Sequence, residues 1–177
     1  DQLLSGHVKL LFPKQHSEIY FEYGWNDGSS NLRDLTLELA HSAASIFGFK
    51  KLTYIKTNTY LLIEAEATKM AQSPGYLQRN AGNWYIHGNG GYINENQILG
   101  AGSGWGNDVQ TFAISWNKGW SKYGLKFQHI AHDQIGVTKI LATNGGKPYW
   151  DDYAYGIQIK HKHKHFLFNL NIDYVHS

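Results

Sequence analysis

Three observations predict an all-β fold of antiparallel strands connected up and down. Apolar and polar residues alternate with period two in at least six segments of the chain. Clusters of Gly, Asn, Asp, Ser and Pro separate those segments, so the ends of neighbouring strands fall close together as in hairpins. No stretch approaches the roughly 18 consecutive apolar residues that a membrane-spanning helix needs. With 177 residues, 42% of them apolar, the chain has the length and composition of one folded domain, residues 1–177.

The elements follow in order. Ile19, Phe21, Tyr23 and Trp25 alternate with Glu18, Tyr20, Glu22 and Gly24, and the strand stops at the turn cluster Asn26 to Ser30. Leu35, Leu37 and Leu39 alternate with Asp34, Thr36 and Glu38, which reads as a short strand or an ordered loop; a helix over 33–46 fits less well because no Gly or Pro stops it. A strand is predicted over Ser42 to Ile55. Another is Leu61, Ile63, Ala65 and Ala67 against Leu62, Glu64, Glu66 and Thr68. Trp84 to about Gly102 reads as a strand broken at its glycines. Phe112, Ile114 and Trp116 form the next, and Tyr123, Leu125 and Phe127 return after the turn Asn117-Lys118-Gly119. Tyr153, Tyr155, Ile157 and Ile159 begin the last pair, and Phe166, Phe168, Leu170, Ile172 and Tyr174 end it. The total is about eight to ten strands, most of ten residues or more, against a common strand length of about 5–6.

Composition narrows the function. Sixteen basic against fourteen acidic residues give a net charge of +2, with no basic stripe, so no nucleic-acid partner is expected. The absence of Cys removes disulfides, thiolate metal sites and thiol nucleophiles together. Charged residues are only 17% and aromatics 15%, where an ordinary soluble domain carries about 25% charge.

The two faces of the strands differ sharply. One carries Ile, Leu, Phe, Tyr, Trp and Ala; the other carries Glu, Asn, Gln, Thr, Lys and Asp. A soluble barrel turns the first set inward, which here would bury Phe112, Trp116, Leu125 and Phe127, whereas a membrane barrel turns the same set to lipid and the polar set into its lumen. The alternation is the same in both. Aromatics at strand ends (Tyr23, Trp25, Tyr54, Trp116, Trp120, Tyr123, Trp150, Tyr153 and Tyr174) sit where a membrane girdle places them. Together with the strand lengths, they favour an antiparallel up-and-down transmembrane β-barrel, or a C-terminal portion of a larger one.

Four clusters invite a chemical reading. Arg33, Asp34, Glu38 and His41, with Glu18 and Glu22, suit a polar site for sugar hydroxyls or an ion-pair network lining a lumen. Glu64 and Glu66 share a strand face and would act as acid and base only if they lack a cationic neighbour such as Lys126 or Lys160. His161, His163 and His165 share a face at i, i+2 and i+4, but Lys162 and Lys164 between them favour a solvated hairpin tip over a metal site. The run from Gly100 to Asp108 has no Lys-Ser/Thr pair and no following helix, so it is not a phosphate loop. Nothing nominates a catalytic residue, a metal or a cofactor.

Several stretches together resemble the capsule-assembly Wzi-like family, in particular its members from the Bacteroidetes. They are Glu18 to Asp27, Asn31 to Asp34, Glu38 to Ser42 and Phe47 to Lys50. They continue with Trp84 to His87, Gly91-Tyr92, Gln97 to Gly102, and Gly104 to Asn107. The likeness covers roughly residues 16–133 and matches the C-terminal half of the longer family barrels. Glu95-Asn96 stands where the family pattern has a glycine before Gln97. The resemblance implies a Gram-negative outer-membrane β-barrel without catalytic activity, linked to binding, attachment or assembly of surface (capsular) polysaccharide. Arg33, Asp34, Glu38, His41 and His87 would then be lumen or loop residues that contact glycan. Implied partners are outer-membrane lipid or lipopolysaccharide, surface polysaccharide and other outer-membrane subunits. A structural or accessory barrel subunit of a larger outer-membrane complex is the nearest alternative. A barrel hydrolase and a soluble ligand-binding barrel stand further off.

Overall fold

A computed structural model describes residues 3–26, 43–70, 86–87, 90–91, 93–94, 97–98, 106–132 and 150–177. Eight long strands form one sheet: β1 (Leu3–Phe12), β2 (Ser17–Asn26), β3 (Ala43–Lys56), β4 (Thr59–Lys69), β9 (Asp108–Lys118), β10 (Ser121–Ala131), β11 (Asp151–His163) and β12 (Phe166–His176). Four two-residue strands lie between β4 and β9. They are β5 (Ile86–His87) paired with β6 (Gly90–Gly91), and β7 (Ile93–Asn94) paired with β8 (Gln97–Ile98). The region from Trp84 to Gly102, expected as one broken strand, therefore contributes two small hairpins, with glycines supplying both residues of β6. Leu35 to Leu39 lies outside the described residues.

The sheet order is β1-β2-β3-β4-β9-β10-β11-β12, and every neighbouring pair is antiparallel. This up-and-down sheet is not closed into a barrel: β1 and β12 are its two edges. Three of its tight connections are two-residue turns, each with one residue at positive φ: Asn58, Gly119 and Lys164. Asn and Gly tolerate that backbone readily; a Lys does so at a cost. The fourth tight connection is a 3₁₀ turn, Pro13–Gln15, tied to β3 because Leu52 N donates to His16 O at 2.8 Å and Lys51 Nζ donates to Gln15 O. All four tight turns lie at one end of the sheet. The strand ends joined by the longer stretches, 27–42, 70–107 and 132–150, are at the other.

The register can be followed from edge to edge, with a shift between Tyr54 and Lys56 where β3 nears its turn to β4. One row runs Phe12, Ser17, Lys51, Ile63, Ile114, Leu125, Ile157 and Ile172. In β1 that row sits at the tight turn, whereas in β12 it sits six residues beyond the turn-side end at Phe166. The strands are therefore staggered along the sheet.

Because paired residues share a face, the register sorts every side chain. One face collects Ile19, Phe21, Phe47, Phe49, Ile63, Phe112, Ile114, Leu125, Phe127, Tyr155, Ile157 and Ile172. The opposite face collects Glu18, Tyr20, Lys50, Glu64, Glu66, Thr111, Lys126, Gln128, Gln158 and Asp173. Exposure follows the face in an unusual sense. In β9, Phe112 and Trp116 are exposed while Ser115 and Asn117, on the polar side, are 3% and 6% exposed. Asn117 Nδ2 donates to the Ser115 carbonyl at 3.1 Å and to its hydroxyl at 3.0 Å, which satisfies the buried amide. The buried apolar side chains among the described residues are only Met70, Val109 and Ala154. Strands contact strands next to them in the sheet, and no second layer covers the apolar face among the described residues. The inward packing of Phe112, Trp116, Leu125 and Phe127 that a soluble barrel requires is absent: all four are exposed.

Candidate functional site

The polar face forms a trough. Its central row reads Glu18, Lys50, Glu64, Ala113, Lys126, Gly156 and Asp173 across seven strands, with charge alternating along it. Glu18 lies 3.7 Å from Lys9, Glu64 lies 3.5 Å from Lys50, and Asp173 lies 3.4 Å from Lys126. The sequence suggested Lys126 or Lys160 as the cation for Glu64. The register gives it Lys50 instead, directly opposite on β3.

Two contacts skip a strand, and each crosses a glycine. The Tyr20 hydroxyl on β2 donates to Glu66 on β4, passing over Gly48 on β3; a Cβ at position 48 would run into the Tyr20 ring. Lys126 on β10 reaches Asp173 on β12 over Gly156 on β11, where a Cβ would meet Asp173 Oδ1. Neighbouring strands are about 4.8 Å apart, so next-but-one partners meet most readily when the sheet curves toward the face that carries them. Glycine in mid-strand is the sequence device for such an approach. With its partners assigned, the Glu64 and Glu66 pair is an ion-pair and hydrogen-bond arrangement, each carboxylate already engaged.

A hollow of about 260 Å³ occupies the middle of the trough. Lys50, Glu64, Thr111, Lys122, Lys126 and Gln158 form its walls, with Tyr20 and Glu66 at one side. A larger, more apolar hollow of about 520 Å³ sits at the tight-turn end between Leu11, Phe12, Pro13, Leu52 and Leu62. Its edge is marked by His16, whose ring meets Tyr54 edge-on at 4.9 Å.

Rings gather at both ends of the apolar face. At the long-connection end Tyr23 and Trp25 meet at 4.4 Å, and His129 stacks on Tyr153 at 4.8 Å. At the tight-turn end Trp116 and Tyr123 lie 5.7 Å apart; Trp120, in the β9–β10 turn, is met from the polar face by Lys162 Nζ at 5.5 Å. Beside the long connections His132 Nε2 lies 2.7 Å from Asp152 Oδ2 and its ring stacks on Trp150 at 4.7 Å.

Of the residues singled out from sequence, Arg33, Asp34, Glu38 and His41 lie outside the described residues. His87 lies in β5, opposite Gly90, in a two-stranded sheet separate from the main one. The structure therefore does not bring it to the trough through strand pairing. The His161 to His165 tract is the end of the β11–β12 hairpin, with Lys164 and His165 as its turn. His161 and His163 share a face with rings 6.5 Å apart, and among the described residues no group of three His, Cys, Asp or Glu could hold a metal. Sequence reading missed the trough's centre. Lys50, Lys122, Tyr20 and Gln158 come together only through the register; the mid-strand glycines Gly48 and Gly156 were the available signal.

No protein-family model matches the chain, and neither does any curated protein or any solved structure. No helix among the described residues is long and apolar enough to cross a membrane, which says nothing about strands.

Proposed function

We propose that this chain forms wall of a Gram-negative outer-membrane β-barrel of the Wzi-like type, non-catalytic, that binds surface polysaccharide for attachment or assembly. The observation that carries the reading is the inverted exposure: Phe21, Phe47, Phe112, Leu125, Tyr155 and Ile157 on the apolar face are exposed, while Thr68, Ser115, Asn117 and Ala154 on the polar face are buried. Monomers in water rarely leave apolar patches beyond a few hundred Å² uncovered. Lipid or lipopolysaccharide is the solvent that suits this face.

Two further features support it. Tight turns at one end and long connections at the other match the short periplasmic turns and longer extracellular loops of such barrels. If the four tight turns sit at one membrane level, the six-residue stagger is about 20 Å of strand across seven spacings totalling about 34 Å. That leans the strands by about 30°, near the 35–45° of closed barrels. An eleven-residue strand such as β9 then rises about 31 Å, the thickness of a hydrocarbon core of about 30 Å. Polysaccharide enters the proposal through the resemblance in sequence and through a trough whose Asn, Gln, Thr and paired charges suit sugar hydroxyls.

The test is electrophoresis of the protein from isolated outer membranes, boiled and unboiled. A heat-dependent mobility shift is expected. A soluble protein whose mobility ignores heating would overturn the reading.

The free edges of β1 and β12 favour a second reading, an accessory subunit of a larger outer-membrane complex in which another chain supplies the remaining wall. Its signature is a stoichiometric partner retained after mild detergent extraction.

A further inference from the structure

The trough contains one row that breaks its own charge rule. In the central row and beside it, the polar face pairs its cations: Lys9 with Glu18, Lys50 with Glu64, Lys126 with Asp173. Two rows nearer the tight turns, the residues are Tyr54, Tyr60, Asn117, Lys122, Lys160 and Asn169. Lys122 and Lys160 are directly opposite each other, and no carboxylate stands in the row. Among the described residues neither lysine takes part in an ion pair. Lys162 adds a third positive charge on the same face of β11, drawn toward Trp120. Like charges directly opposite on neighbouring strands repel.

The surroundings of the lysines are shaped. Lys122 and Lys126 both line the 260 Å³ hollow, with Gln158 beside them; Lys160 stands at its margin, directly opposite Lys122 on β11. Gly124 lies between the two lysines on β10, opposite Ser115, so no side chain fills the space between them. Thr111, Gln158 and the Tyr20 hydroxyl, with the Glu64 and Glu66 carboxylates, supply donors and acceptors around the same space. The volume falls just below the roughly 300 Å³ at which sites for drug-sized ligands begin, which suits a single sugar ring.

We propose that this hollow receives one carboxylate-bearing sugar of an acidic saccharide, with Lys122 and Lys160 holding the carboxylate. The neutral groups and Glu64 take the ring hydroxyls. The proposal rests on reading the polar face as a glycan-handling lumen wall, and it narrows the ligand to acidic sugars. Lysine ammonium groups act on the carboxylate as point charges with rotatable donors, so binding weakens as salt rises.

The experiment is calorimetric titration of the detergent-purified protein with trigalacturonate, with galactotriose as its uncharged counterpart, and with inorganic phosphate as a simple anion. Trigalacturonate is expected to bind at least tenfold more tightly than either. The double variant Lys122→Gln, Lys160→Gln is expected to lose that advantage while keeping its heat-dependent gel shift, and Lys9→Gln is expected to keep both. Equal affinity for the charged and neutral trisaccharides would overturn the proposal. So would an unaltered preference in the double variant. Phosphate binding as tight as trigalacturonate would reduce the site to one for simple anions and overturn the sugar assignment. The gel shift of the unmodified protein reports separately on the barrel. Its absence sinks the membrane reading, while the titration still decides whether the hollow prefers acidic sugar.

Discussion

Leu125 offers the sharpest test of which solvent the apolar face meets. It lies in the edge-to-edge apolar row, between Tyr123 and Phe127 on the same strand face, and is 61% exposed. In water, replacing so open a side chain by Arg should change stability by no more than about 0.5 kcal/mol. In a bilayer the sum is different. Fully burying a Leu side chain contributes about 1.5–3 kcal/mol, so lipid covering the exposed 61% contributes about 1–2 kcal/mol. An Arg at mid-depth on the lipid face costs about 2–4 kcal/mol more. Leu125→Arg should therefore destabilise the membrane-inserted protein by about 3–6 kcal/mol. Trp120, in the tight turn, is 67% exposed and thus more open than Leu125. At the interface Trp120→Arg should cost less than about 1 kcal/mol, since the penalty fades with depth. Urea titration of vesicle-inserted protein, followed by the heat-sensitive gel band, measures both. Equal, sub-kilocalorie effects at the two positions would refute a lipid-facing sheet.

Tyr20→Phe removes the hydrogen bond to Glu66 and should cost about 1.5–3 kcal/mol, the range for a bond to a charged group. Gly48→Ala displaces the same ring, so the double variant should fall well short of additive in a denaturation cycle; full additivity would disprove the bridge over Gly48. Asp173→Asn and Lys126→Ala, alone and combined, should couple by no more than about 1 kcal/mol, because the pair is partly open to solvent, and their coupling should shrink in high salt. Lys164→Gly relieves a positive φ at the first turn position, where glycine is preferred, and should raise the unfolding midpoint by the equivalent of about 0.5–1 kcal/mol.

Strand identity was largely legible because each polar-apolar alternation is local. The six alternating segments and the strand over 43–56 all belong to the main sheet. β1 was not anticipated. Leu3-Leu4 and Leu10-Leu11 are doublets that break the period of two, and Gly6 leaves a gap on the apolar face. Which face is covered was not legible, since alternation is symmetric under inversion; the burial of Ser115 and Asn117 beside exposed Phe112 and Trp116 resolves that local asymmetry. Partner choice was also beyond the sequence. Glu64 meets Lys50 because of a register counted from the Thr57–Asn58 turn, and a shift of one residue would send every side chain to the other face. The opposed Lys122 and Lys160 lie 38 positions apart in the chain and become neighbours only through β10–β11 pairing.

The order of strands also carries a timetable. Four of the seven strand pairings (β1–β2, β3–β4, β9–β10 and β11–β12) close over turns of two to four residues, so they are local events on the microsecond scale of hairpin formation. The other three must close over residues 27–42, 132–150 and 70–107. Loop-closure entropy makes the last of these about 2.6 kcal/mol costlier than a two-residue turn. The sheet thus assembles as preformed hairpins that zip together late, with the β4–β9 joint as the slowest seam between two four-stranded halves. Pulse-labelled amide exchange would register that sequence as early protection at the tight turns and late protection of those amides of Thr59–Lys69 that bond across to β9. Equal protection times across all seven pairings would contradict it.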